Sequence, residues 1–510
     1  MHSTRHLYAP NIKRLVDLVD RGPEDDDFYP ASTNETVFRR EWPTHHNATP
    51  EVVEIGYQGT AAWGGKITVP LRQKESGDLI SWVAIRLYPR SWLGPDMEAK
   101  IDSGSWEYQD PSGVWMWAAS LATIAIAEVE FTINGVTIDK WPGEWMDVWS
   151  RLALDAGRSP VWDADIYGQL PVWALRSAGR PAWSTIHPTE DGYIYCWLPL
   201  ALLKRPQSAF PLVAMNEQAD VRLNITFRPF SEVVRMRHIP RSNPHQVPLG
   251  IPVTLLDKSG PTPIPYVFTT PTTVPGFEDV TVLVGVTQLE DPLRSAYMRQ
   301  PMELMYEPVT YRYFDMRNST ADQVVGNKVL QNIDLSSLNG PLKEIVFFLR
   351  RKAVWRYNEW TNYGLLMDGD LWASQLLNPN ARLPNQRPLL FDATLYGGSA
   401  IFRYEIEKWW RIESAQEHRG GVRGARGMLY GFAFGAGKDW TVDKLQPLQT
   451  FNASRAPLAL DLNVTPPPAI LGAPDSCEQD SGRAWDIHVF AIGINWLRIV
   501  NGLAQPLFQE

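Results

Sequence analysis

The chain of 510 residues contains only two cysteines, Cys196 and Cys477. A single pair cannot build a disulfide framework. One sits in strand-like and the other in loop-like sequence, as a reducing compartment permits. Long apolar runs are also missing. The longest of interest, Gly113 to Ala127, is broken by Ser and Thr and ends at Glu128, short of the ~18 apolar residues that a membrane span needs. Met1 to Arg14 is polar and basic and lacks the apolar core of a signal peptide. The expectation is a soluble protein that folds inside a cell.

An excess of positive charge is absent. Lys and Arg number 48 against 57 Asp and Glu, a formal net charge of -9, whereas a protein that wraps nucleic acid presents a basic surface. The best candidate for a local basic patch, Arg235 to Arg241, reads as a solvated loop.

Catalytic signatures are missing as well. The histidines are His2, His6, His45, His46, His187, His238, His245, His418 and His488; none falls in HExxH and none pairs with cysteine at zinc-ligand spacing. His45 and His46 are adjacent, so on a strand they point to opposite sides. No GxSxG or Walker sequence occurs. Gly420 to Gly427 has the composition of a phosphate-cradling loop, but the Met428–Phe434 segment after it reads as a strand and not as the helix such a site requires. The sequence therefore calls for no catalytic residue, no cofactor and no metal. One enzymatic alternative stays open, a carbohydrate-binding or glycoside-hydrolase sandwich. It would use the 22 Trp as stacking platforms and carboxylates such as Glu405, Glu407, Glu413 and Glu417 as an acid/base pair. Glu405 and Glu407 alternate with Tyr404 and Ile406, as on an exposed strand face.

What is present is β-rich. Apolar residues make up 44% of the chain and aromatics 11%, with 41 Pro and 36 Gly; that mixture suits many strands joined by elaborate loops. The exception comes first. Asn11 caps a predicted helix whose Ile12, Leu15, Val16 and Val19 recur at i, i+3, i+4 and i+7. Gly22-Pro23 stops it, and the acidic run Glu24 to Asp27 follows. So short an amphipathic helix needs a surface to fold on, which makes these four aliphatics a candidate assembly interface.

From Phe28 the period is two. Val129 to Ile133 alternates, Asn134-Gly135 supplies a type I′ turn and Val136 to Asp139 returns. Val221–Phe227 and Leu458–Val464 alternate too. Phe490, Ile492, Ile494 and Trp496 face one side of a terminal strand and Val489 and Ala491 the other, so both of its faces are expected to be buried. Nine prolines between Pro240 and Pro275 argue against continuous sheet there. The expected organisation is an N-terminal arm (1–27), a first jelly roll (28–230), a Pro-rich linker (231–275) with a short strand at Pro252 to Leu256, and a second jelly roll (276–510). Each body has the length of an eight-stranded jelly roll with long loops. The fold class is all-β, two consecutive sandwiches, with no residue-level repeat between them.

Several segments, in order along the chain, resemble the major capsid proteins of nucleocytoplasmic large DNA viruses. They are Thr36–Arg40 with His45 and Asn47; the Val129–Asp139 hairpin running into Gly143–Trp149; Leu198-Pro199, Phe210–Met215 and Val221–Phe227; and Val282–Asp291 with Arg294 and Met298–Gln300. They continue with Gly340–Phe347 followed by Asn358, Trp360, Asn362 and Tyr363, where Gly340 replaces the family's usual His. Gly427–Phe434, Gln449–Ser454 and Leu458–Leu462 retain Thr450, Phe451, Asn452 and Ser454, lack the usual Cys, and depart at Ala453 and Ala456. The last is Asn495–Ile499 with Asn501 and Gly502.

The resemblance implies a double jelly roll whose homotrimer forms a pseudo-hexagonal tile of an icosahedral shell, in the virion, after assembly in host cytoplasm. It implies neighbouring capsomers, minor capsid and penton proteins and an internal viral membrane as partners, and no direct nucleic-acid binding. The same fold also serves as a transient assembly scaffold, which remains the alternative.

Overall fold

The computed structural model describes residues 48–90, 115–118, 120–154, 193–203, 209–216, 219–236, 252–257, 264–269, 274, 276–316, 324–325, 328–351, 358, 360–364, 390–411, 428–434, 450–465 and 485–508. The candidate interface residues Ile12, Leu15, Val16 and Val19, the His45-His46 pair, Cys477, Glu413, Glu417 and the Gly420–Gly427 loop lie outside the described residues.

The sandwich strands of the first half are β1 (Ala48–Ile55), β2 (Lys66–Pro70), β3 (Leu79–Pro89), β4 (Ile126–Ile133), β5 (Val136–Pro142), β6 (Ile194–Leu198), β7 (Val221–Phe227) and β8 (Phe277–Leu289). Those of the second half are β9 (Val309–Met316), β10 (Lys328–Asp334), β11 (Pro341–Arg351), β12 (Phe391–Gly397), β13 (Ser399–Ile406), β14 (Tyr430–Ala433), β15 (Leu458–Val464) and β16 (Trp485–Gly493). They form sheets in the orders β1-β8-β3-β6 and β2-β7-β4-β5, then β9-β16-β11-β14 and β10-β15-β12-β13. The strand order of the second half is that of the first with every number raised by eight. Both halves are jelly rolls of one topology.

The duplication extends to details. Each sheet gains a two-residue strand: Phe210–Pro211 on β3 and Phe451–Asn452 on β11, Gln58–Gly59 on β2 and Val324–Val325 on β10. An extra residue bulges from the same place in β3 and β11, Ser81 against β8 and Lys343 against β16. None of this was expected from residue identities, because topology is set by which faces are apolar and where chains turn.

Strand alternation builds the cores. Val83, Ile85 and Leu87 of β3, Ile194, Cys196 and Leu198 of β6, and Val282 and Val284 of β8 all point inward and are buried. Phe227 of β7 meets Phe277 of β8 across the first sandwich, ring centroids 5.1 Å apart. In the second, Phe391 of β12 packs on Tyr430 of β14 at 4.9 Å. The Asn134-Gly135 turn is present, with φ of 50° and 79°, and β4 pairs with β5 around it. Gly340 has φ of +78°, a conformation costly for the histidine it replaces. Its N–H donates to Ser454 Oγ at 2.9 Å, and its carbonyl accepts from the Ala453 N–H at 3.0 Å. The Gln449–Ser454 segment is thereby tied to the start of β11.

Two expectations are corrected. The boundary at residue 276 is displaced: β8 pairs antiparallel with β3 along its length and also with β1, so the strand expected to open the second body closes the first. The segment expected as a linker is a decorated connection within the first sandwich. Val234–Met236 pairs with Trp115–Trp117, and Pro252–Asp257 forms a hairpin with Ile264–Thr269. Proline punctuation marks the ends of these strands without separating two bodies, since edge pairing tolerates a missing N–H.

Candidate functional site at the seam between the sandwiches

β16 is buried on both faces, as its alternation predicts. Phe347 of β11 packs inward on Phe391 and Tyr430. The neighbouring Phe348, with His488 and Phe490, therefore points out of the second sandwich. What covers that outer face comes from the first: helix α1 (Glu144–Ala153), which follows β5 directly. Trp145, Met146, Val148, Trp149 and Leu152 of α1 are all buried, and so are Asp147 and Ser150. A helix apolar on nearly all sides has to lie between two bodies. Trp145 meets Phe490 at 5.3 Å between centroids.

The polar residues of the seam are paired across it. Glu144 Oε1 lies 2.9 Å from Arg228 Nη2 and 3.2 Å from Arg350 Nη1. Arg228 follows β7 and also reaches Glu232 at 3.2 Å; Arg350 is on β11 and donates to the Trp360 carbonyl. Both guanidinium groups lie over the Trp360 ring, at 4.6 and 5.2 Å, a favourable geometry for cation–π attraction. Burial alone would raise the Glu144 carboxyl, but the charges of Arg228 and Arg350 outweigh it and hold the group well below the usual carboxylate range.

A second set of contacts runs from residues 358–364 into the first sandwich. Asn358 Nδ2 donates to the carbonyls of Ser231 and Val234, and Trp360 Nε1 to that of Glu232 at 2.8 Å. Tyr363 OH donates to Asp147 Oδ2 at 2.6 Å, and Arg151 spans Asp147 and the Thr361 carbonyl. Burial, then the Asp147 charge, pushes the Tyr363 phenol far above its ordinary value, so it stays a donor. The Asn358, Trp360 and Tyr363 noted for their family resemblance are the residues that plug the second sandwich into the first. Elsewhere, Arg294 of helix α2 (Asp291–Arg299) meets Asp78 at 2.8 Å, and the Asn216 N–H donates to the Gly502 carbonyl at 3.0 Å.

Sequence reasoning named α1 and the 358–363 residues as family-like segments but not their partners. Apart from the i,i+4 pairs Asp147–Arg151 and Arg228–Glu232, the partners of Arg228, Arg350, Asp147 and Glu144 lie far away in the chain and leave no local signature. Of the carboxylates of the hydrolase alternative, Glu405 lies on strand β13 as expected and Glu407 does not. Glu407 is not on an exposed strand face; it opens helix 407–411, is buried, and accepts from Tyr430 OH at 3.2 Å with Arg411 nearby. Among the described residues, no group of three or more His, Cys, Asp or Glu could hold a metal ion.

Two jelly rolls of identical topology, joined by a buried seam, define a double jelly-roll protein. Residues 36–250 match the family described as major capsid protein N-terminus. The major capsid protein of Pyramimonas orientalis virus is 25% identical over 223 residues, 43% of this chain and 48% of that protein. Probable capsid protein 4 of Acanthamoeba polyphaga mimivirus is 25% identical over 225 residues, 44% of this chain and 39% of that protein. The matched segment thus spans less than half the length of these relatives. The fold extends further. The chain aligns with the capsid protein of the PBCV-1 virus capsid at TM-score 0.62 and 17% identity, covering 93% of this chain and 100% of that one. With the Faustovirus major capsid protein the TM-score is 0.57 at 10% identity, over 92% and 94%. Over residues 36–250 the chain is thus similar in sequence to viral major capsid proteins, and over most of its length it shares the double jelly-roll fold of these capsid structures.

Proposed function

We propose that this protein is the major shell protein of a large icosahedral DNA virus, acting as a homotrimer that tiles the capsid. The observation that carries this reading is the exact repetition of one jelly-roll topology within a single chain, with the two copies fixed to each other by a buried, charge-paired seam. A protomer with two equivalent sandwiches supplies six to a trimer, which is the requirement for a tile with hexagonal neighbours and threefold symmetry. Its work is structural, done through surfaces and not through a reacting centre. Neighbouring capsomers are its main partners, with minor capsid and penton proteins and an internal viral membrane beneath. The N-terminal Ile12, Leu15, Val16 and Val19 are assigned to those assembly contacts. Light scattering of the full chain at micromolar concentration tests the reading; it predicts about three times the chain mass, and a monodisperse monomer contradicts it. The chain should also be the dominant band of purified mature virions.

A further inference from the structure

The seam shows how one sandwich of this kind covers another. A helix that follows the fifth strand of the first sandwich, α1 after β5, lies on the outer face of the β9-β16-β11-β14 sheet of the second. Both ingredients exist a second time with their roles exchanged. Helix 407–411 follows β13, the strand equivalent to β5, and the β1-β8-β3-β6 sheet is the equivalent of the one that α1 covers.

The two surfaces have matching character. On the outer side of β3 and β6, Trp82 stacks on Trp197 at 4.8 Å, Tyr88 meets Tyr193 edge-on at 4.9 Å, and Arg86 lies over Tyr193 at 5.3 Å. These side chains are half-buried, whereas in the second sandwich Phe348, His488, Phe490 and Arg350 on the equivalent face are buried under α1. Helix 407–411 is anchored from below by Trp410, which is buried against Phe347 and Phe402 at 5.4 and 4.8 Å. Above, Ile406 and Trp409 are 55% and 45% exposed. Exposed large apolar side chains such as Ile406 and Trp409 are the make-up of a subunit interface.

We propose that Ile406 and Trp409 of one copy dock on the aromatic outer face of β3 and β6 of the next copy, repeating between chains the contact that α1 makes within the chain. The inference rests on the trimeric reading above and assigns its interface. The contact is heterologous, one surface meeting a different one, so its repetition closes into a ring when the rotation per step fits. Within-chain and between-chain seams then alternate around the tile.

The test uses the full-length chain. W409E and W197E, each made separately, are expected to shift the light-scattering mass from trimer toward monomer at micromolar concentration while far-UV circular dichroism stays unchanged; W409F retains the trimer. In a Cys477→Ser background, the double variant Trp409→Cys/Trp197→Cys is expected to give covalent dimers and trimers on oxidation, and either single variant none. The cross-link decides should a charged variant fail to fold. A wild-type chain that is not trimeric overturns the proposed function itself. A trimeric wild type whose folded charged variants stay trimeric, or whose double-cysteine variant gives no cross-link, overturns this interface alone.

Discussion

Glu144 and Arg350 lie 3.2 Å apart although 206 residues separate them in sequence and they belong to different sandwiches. Arg228 completes the group, so one carboxylate sits between two guanidinium groups, all three side chains only 9% exposed. Buried ion pairs gain little over an apolar replacement, because desolvation opposes the attraction. Their breakage is a different matter. The seam is therefore specific: α1 has to meet this sheet in this register or leave Arg350 buried without the Glu144 carboxylate.

The first prediction follows directly. Glu144→Gln should destabilise the chain by about 3–5 kcal/mol, because Arg228 and Arg350 lose the charge that balances them while staying buried. Urea denaturation checks it, and the loss should appear where the sandwiches separate, as a change in the fluorescence of the seam tryptophans Trp145 and Trp360. A loss below about 1 kcal/mol would mean the pair contributes no more than a surface bridge.

The fold was legible where its signals are local. The Asn134-Gly135 hairpin, the strands Val221–Phe227 and Leu458–Val464 and the double burial of β16 all follow from alternation and turn chemistry. The seam was not legible. Arg228 and Arg350 look like any strand-end arginines, and only the folded chain brings Glu144 to both. β8 was assigned to the wrong sandwich for a related reason. Proline-rich sequence before it suggested a domain break, whereas strand partnership is a long-range property that local punctuation does not encode.

A second prediction concerns acid. His488 is buried, its Nδ1 within 2.8 Å of Tyr311 OH, and Phe348 stacks on it at 4.6 Å. Facing it are Arg350 from β11, Tyr311 and Tyr313 from β9, Glu144 from α1 and Arg228 beyond β7, with Asp486 on its own strand. Burial first, then the Arg350 charge, holds its pKa well below the ordinary histidine value. The unfolded chain takes up that proton near pH 6.5 and the folded chain does not. Stability from this group is therefore complete above pH 6.5 and falls by about 1.4 kcal/mol per pH unit below it, until the folded pKa is reached. Glu144 does not blur this window, because its depressed pKa makes its own loss begin only near the unfolded carboxylate value of about 4.3. The loss between pH 7 and 5 should be smaller in His488→Gln than in wild type by about 2 kcal/mol. Equal losses in the two proteins would refute the assignment.

A third prediction tests the outer face of the first sandwich. A Cβ built on Gly285 would lie 2.1 Å from Trp82 Nε1, so only glycine leaves room for the indole that stacks on Trp197. Gly285→Ala should lower stability by about 1–3 kcal/mol as the ring is forced aside. Trp82→Ala in the same chain should recover most of that loss, since the steric conflict then has no second party. Thermal melts of the two single variants and the double variant measure the coupling, and strictly additive losses would show that the clash is relieved elsewhere.

The last prediction separates assembly from folding. In the sequence Ile12, Leu15, Val16 and Val19 recur at helical spacing and are followed by Gly22-Pro23 and the acidic run Glu24 to Asp27. Among the described residues, the buried side chains of the sandwich cores run from Ile55 onward. Four aliphatic side chains contribute about 1.5–3 kcal/mol each when fully buried, before the cost of ordering the segment. That is enough to bias contacts between tiles or with a layer beneath them, and the interface proposed above for the trimer does not use it. Deletion of residues 1–27 is therefore expected to leave the trimer mass and the melting temperature within about 2 °C of wild type, while shell formation is lost or sharply reduced in an assembly assay read by electron microscopy. Replacing the four aliphatics by Ser in the full-length chain should reproduce the defect. If the truncated chain instead fails to fold or to trimerise, the stripe packs on its own protomer and belongs to the body of the tile.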